Sequence, residues 1–72
     1  MKTQEFVKTI NKLRLSNKNN WYAWQGKVND RAVSLKGYNT WLQVFRVNEL
    51  EAGLPMEMSI SDFKAELAKA VS

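Results

Sequence analysis

The chain contains no cysteine and no histidine among its 72 residues. Without cysteine there is no disulfide to staple a small domain. Without either residue, the ligands that zinc prefers are missing and a structural zinc site is all but excluded. Catalysis near neutral pH draws mostly on His, Cys or a carboxylate with a perturbed pKa. Of these only carboxylates are available, and Glu49, Glu51 and Glu57 fall near a loop that brings no basic or apolar pocket to tune them. Five serines are present without a base to activate one. The three glycines, Gly26, Gly37 and Gly53, are too scattered for a phosphate-cradling loop. The acidic segment also lacks the ligand spacing of a calcium loop. The expectation is a protein that is not an enzyme and has no cofactor, no metal and no small-molecule substrate.

No apolar run is long enough to cross a bilayer. Lys8 and Lys12 interrupt the segment in which a signal peptide needs unbroken apolar residues. These two features lead us to expect a soluble, cytoplasmic protein with no membrane partner. A chain this short buries a modest fraction of its surface and is marginally stable alone. With staples absent, self-association is the common remaining solution.

Negative charge is scarce in the first two thirds. Residues 1–48 carry nine Lys/Arg against Glu5 and Asp30, a local charge of +7, whereas residues 49–72 carry −3. This lopsidedness is a reason to consider an acidic partner, nucleic acid included. It is also what a merely well-solvated small protein shows.

The apolar pattern divides the chain into helix, strands and helix. Thr3 is placed to cap a helix over about residues 4–15, with Phe6, Val7, Ile10 and Leu13 as its stripe. The turn formers "SNKNN" end it. Three strands follow at about 21–28, 31–38 and 41–47. Asn29-Asp30 and Asn39-Thr40 stand between them, and Asn and Asp tolerate the positive φ of two-residue hairpin turns. Residues 48–58 hold Gly53 and Pro55 and read as a loop or a short edge strand. Alternation around Glu57 leaves open a fourth strand at Leu54–Met58. Ser59 then caps a second helix over about 60–71, with Met58 and Phe63 as a hydrophobic staple. Its buried stripe is expected to be Ile60, Phe63, Leu67 and Val71.

Two-residue turns set Val28 opposite Arg31, Trp24 opposite Leu35 and Tyr22 opposite Gly37. In the second hairpin they set Tyr38 opposite Trp41, Lys36 opposite Gln43 and Leu35 opposite Val44. Because side chains alternate, this register assigns every residue to a face. One face collects Tyr22, Trp24, Val28, Val33, Leu35, Leu42 and Val44, and suits burial under both helices. The fold class is therefore α+β: α-β-β-β-α, a three-stranded antiparallel meander packed with two helices in a single small domain. The other face carries Trp21, Tyr38, Trp41, Phe45 and Val47, with Lys27, Lys36, Gln25 and Gln43 among them. These residues, Gln25 aside, are the candidate partner-binding set. Small proteins rarely leave so much aromatic area in water. One helix on each face would bury it internally. A protein partner or a second copy would use the aromatics as anchors. In the alternative, nucleic acid, bases stack on the rings and the lysines neutralise phosphates.

The αβββα order resembles that of the double-stranded-RNA-binding domain. That family opens its second helix with a lysine cluster and has a Gly-Pro-His-type loop between its first strands. This chain has "SISDFK" and "VNDRA" there, so the RNA-contacting residues do not carry over. Sheet readers of the DNA major groove place several arginines on the sheet, where this chain has only Arg46 mid-strand. A small, cysteine-free, basic-then-acidic chain with the compact meander "GKVNDRAVSLKGYNTWLQVFRVNE" also resembles accessory proteins of temperate phages and prophages. Several of those are antirepressors or host-factor inhibitors that bind a protein target without chemistry. The resemblance implies a regulator of that kind in the bacterial host cytoplasm and a protein rather than a nucleic-acid partner.

Overall fold

The computed structural model describes the backbone of residues 1–46, 49–54 and 57–72, and the side chains of residues 1–45 and 57–72. Helix α1 spans Thr3–Ser16 and buries Phe6, Ile10 and Arg14, with Val7 and Leu13 packed partly buried beside them. Its cap differs from expectation. The capping position is Lys2, in extended conformation, and no side chain caps the helix. The Lys2 carbonyl accepts from the Phe6 amide at 3.0 Å, which puts Thr3 inside the first turn. Its hydroxyl is thereby released for a tertiary bond, accepting from Asn29 Nδ2 at 2.8 Å. The helix ends where the turn formers stand: Asn17 donates its amide to Arg14 O and its side chain to Leu13 O.

Strands β1 (Trp21–Val28), β2 (Arg31–Tyr38), β3 (Trp41–Arg46) and β4 (Glu49–Leu54) form one antiparallel sheet in the order β1-β2-β3-β4. Val47, expected to end β3, lies outside the described residues. Both hairpins have the expected register, from Val28 opposite Arg31 to Leu35 opposite Val44. The turn chemistry explains it. Asn29 and Asp30 both take positive φ, at 52° and 67°, as a type I′ turn requires. In the second turn only Asn39 does, at 55°. Asn29 also acts at longer range. Its side chain donates to Val71 O at 3.0 Å as well as to Thr3, tying the turn to both helices.

Of the two readings of residues 48–58, a loop or a short edge strand, the described part is an edge strand, β4. The strand also lies earlier than the Leu54–Met58 alternative, and Glu57–Ser59 has no regular structure. Val44 pairs with Ala52 and Phe45 with Leu50, so β4 holds one more residue than β3 at that point. This is a bulge, and it breaks the period-two alternation by which a strand is recognised. Pro55 follows Leu54 in the sequence and lies outside the described residues.

Helix α2 spans Ile60–Val71, and the Ser59 hydroxyl accepts from the Asp62 amide at 3.1 Å, as the capping pattern predicts. Phe63, Leu67 and Val71 are buried. Ile60 is not: it is 41% exposed, because it occupies the first helical position, beyond the edge of the core, where Met58 packs instead. Ala70 completes the buried stripe in the last turn. α1 lies over β1, α2 over β3 and β4, and the two helices touch each other. Phe6 and Ile10 of α1 join Phe63, Leu67 and Val71 of α2 in one cluster with Tyr22, Val28, Val33, Leu35, Leu42 and Val44. Both helices thus cover the same sheet face, and none crosses to the other. Among the described residues no helix is long and apolar enough to cross a membrane.

The core face is shaped by two aromatic rings lying over glycines. Trp24 covers Gly26 and stands 5.3 Å from Phe6, centroid to centroid. Tyr22 covers Gly37. A Cβ on Gly37 would come within 2.6 Å of the Tyr22 ring and 2.9 Å of the Trp41 carbonyl, which is backbone. At Gly26 the clash is with the far end of the Trp24 side chain alone, at 2.8 Å. Gly37→Ala should therefore cost about 1–3 kcal/mol, as overpacking does, and Gly26→Ala should cost less. Urea denaturation of the two variants checks the ordering; equal midpoints would contradict this packing.

Candidate functional site

The open face is built by strand pairing. Trp21 sits opposite Tyr38, and Tyr38 opposite Trp41. These three neighbours form a row across one end of the sheet. Trp21 and Tyr38 are a non-hydrogen-bonded pair, the type in which side chains approach most closely, and their ring centroids are 5.3 Å apart. Trp21 also meets Trp41 edge-on at 5.0 Å with an interplanar angle of 87°, a favourable arrangement of ring quadrupoles. Lys36 belongs to the next row and holds its ammonium 5.2 Å from the centre of the Trp21 ring, within cation–π range. Trp21 is 53% exposed and Tyr38 38% exposed, while Trp41 is partly buried by its neighbours.

Not every expected residue joins this cluster. Gln43 lies beside Lys36 in the second row. Phe45 is on the same face but opposite Ser34, four residues along β3 from Trp41, or about 13 Å at strand spacing. Lys27 is at the far end, opposite Ala32. The aromatic surface is therefore a compact end-patch of Trp21, Tyr38 and Trp41 with Lys36, and Phe45 is a separate, partly buried ring further along. Val47 lies outside the described residues.

Two participants escape sequence reading. Asn39, which the sequence marks only as a turn former, donates from Nδ2 to Glu57 Oε1 at 2.6 Å. That bond brings the segment before α2 to the aromatic end of the sheet. Tyr38, Asn39, Trp41 and Glu57 line a shallow dent of about 120 Å³ there. Glu57 supplies a carboxylate at the rim of an otherwise basic patch. Nothing in the local sequence signals a pairing of residues 18 positions apart. Among the described residues no three acids gather as a metal site would need.

The patch rests on Tyr22, whose ring lies beneath Gly37 on the core side and whose hydroxyl donates to Asn39 O at 3.2 Å. Burial pushes its phenol up to about 12 from the ordinary 10.0, and the nearby Arg14 guanidinium pulls the other way. Arg14 is itself buried, bonded through two nitrogens to Asn11 Oδ1 and lying 5.6 Å from the Phe63 ring centre, so it fastens α1 to α2.

Nothing among family models, curated proteins or solved structures matches this chain.

The Tyr22 phenol links the core to pH. Its folded-state pKa is raised, so the unfolded chain releases the proton first. The contribution to stability is complete below pH 10.0 and is lost as pH rises through about 12. Tyr22→Phe removes that dependence and costs about 1 kcal/mol at neutral pH through the lost bond to Asn39. Urea midpoints measured across the alkaline range should show wild type falling toward the variant. A constant difference between them would contradict the assignment.

Proposed function

We propose that this chain is a non-catalytic binding protein that works by occupying a protein target through the open face of its sheet. One observation carries the reading: both helices lie on one face, and the other presents Trp21, Tyr38 and Trp41 to solvent. Large aromatic side chains are the characteristic anchors of protein interfaces, where they bury much area at low cost in side-chain entropy. Here the anchors are also set in place, since Trp21 is braced by Tyr38, Trp41 and Lys36. A preorganised patch loses little freedom on binding. The resemblance in build to temperate-phage accessory proteins supports a regulatory role, blocking a target such as a repressor or host factor by occupancy in the bacterial cytoplasm.

A second reading has its own observation. Lys36 stacked against Trp21 places a cation beside an exposed ring, and Lys27 lies on the same face. Ring-plus-lysine surfaces also hold single-stranded nucleic acid.

The test begins by crosslinking proteins from host lysate to the purified chain and identifying them. Affinity is then measured with the purified target. Trp41→Ala should weaken binding by about 2 kcal/mol or more while circular dichroism stays native. Trp21→Ala, at the more exposed ring, should do the same. Unchanged affinity for both variants rules the face out. Oligonucleotide binding at low salt that falls steeply as salt rises would favour the second reading.

A further inference from the structure

We infer that the outer edge of β1 pairs with the same edge of a second copy of this chain, antiparallel, across a two-fold axis at Ala23. β1 is the terminal strand of the sheet and bonds to β2 along one side only. Backbone groups alternate in direction along a strand, and two bonds fix the phase. The Asn29 amide donates to Met1 O at 2.9 Å, and the Met1 nitrogen donates to Lys27 O at 3.2 Å. Residues 27 and 29 therefore face outward, and so, counting back in twos along an uninterrupted register, do Gln25, Ala23 and Trp21. All three are exposed, and no backbone bond among the described residues reaches them.

This open stretch is bounded at both ends. Met1 occupies the Lys27 end. At the other, the turn before β1 closes on itself through Asn20 N to Asn17 O at 3.1 Å. The symmetric register that engages every open residue sets Trp21 opposite the second copy's Gln25 and Ala23 opposite its own mate. Each such pair exchanges two hydrogen bonds, so the junction carries roughly six.

The side chains suit that register. The residue at the axis is alanine, small enough to meet itself. The only charge in β1, Lys27, lies outside the paired stretch. Proteins guard exposed edges with proline, mid-strand charge or a bulge. Residues 21–26 contain no proline and no charge, and the β1–β2 register contains no bulge. A foreign extended peptide would find the same free groups; a second copy is the occupant for which the register is two-fold symmetric, with the uncharged residues 21–25 of both chains opposite one another and Ala23 at the axis. The product is a continuous eight-stranded sheet with the helices of both copies on one side and both aromatic patches on the other. This inference does not depend on the open-face function.

Sedimentation equilibrium of the full chain up to millimolar concentration tests it. Wild type should approach twice the 8.3 kDa chain mass. Ala23→Lys and Ala23→Glu each put like charges opposite one another at the axis, and should weaken the dimer at least about fivefold while the far-ultraviolet spectrum stays native. Mixing the two variants pairs opposite charges and should restore a dimer. A wild-type chain that stays monomeric overturns the proposal. So does a dimer that both Ala23 variants leave intact, which would place self-association elsewhere, on the aromatic face if Trp41→Ala then abolishes it. Variant dimers that mixing does not rescue overturn the two-fold at Ala23 as well.

Discussion

The register of the first two hairpins decides which side of the sheet becomes the core. Side chains alternate with a period of two, so a slip of one residue would exchange the two faces of the sheet. Asn29-Asp30 and Asn39-Thr40 prevent that slip, because positive φ at Asn29, Asp30 and Asn39 holds each connection to two residues. The register then sends Tyr22, Val28, Val33, Leu35, Leu42 and Val44 to one side, all buried. Phe6 and Ile10 from one helix and Phe63 and Leu67 from the other pack against that side in one cluster. Asn29 joins the two levels of organisation. It makes the turn through its backbone and, through its side chain, holds the start of α1 and the end of α2.

Once both helices are committed to one face, the other is covered, among the described residues, by its own side chains and at one end by Glu57. Trp21, Tyr38 and Trp41 respond by packing on each other at ring separations of 5.0 and 5.3 Å. Stacking of this kind shields the rings in part, and it fixes their orientation for a partner. The same residue, Trp21, also begins the unpaired outer edge of β1. A surface and an edge therefore meet at one corner of the molecule. The surface offers specificity through its rings and lysines, and the edge offers main-chain hydrogen bonds that any matching strand can accept. A protein of 72 residues without disulfides gains stability whenever either is engaged, since anything that binds only the folded state shifts the folding equilibrium.

Much of the fold was legible because its determinants are local. Turn residues and alternation define β1 and β2 to the residue, and Ser59 with Asp62 marks the start of α2. Where long-range contacts decide, the sequence is silent or misleading. The bulge opposite Val44 and Phe45 hides β4 behind broken alternation. Thr3 has the chemistry of a cap but serves Asn29 instead. Ile60 keeps the helical spacing of the stripe yet lies beyond the core it would enter. At the candidate site, face assignment followed from register alone, but distance along the face did not. Phe45 shares a side with Trp41 without sharing its cluster, and the Asn39–Glu57 bond that shapes the dent had no local signal. Function was least legible. Binding surfaces made of common residue types carry no motif comparable to a metal site or a catalytic triad.

In the folded chain the aromatic side of the sheet presents Trp21 and Tyr38 to solvent. Acrylamide quenching of variants that keep a single tryptophan, the other two replaced by phenylalanine, tests it most directly. In dilute solution the chain retaining Trp21 should show strong quenching and red-shifted emission. The chain retaining Trp24, packed against Phe6, should show a bluer and better protected indole. Equal protection of Trp21 and Trp24 would contradict it, since some part of the chain would then cover the face.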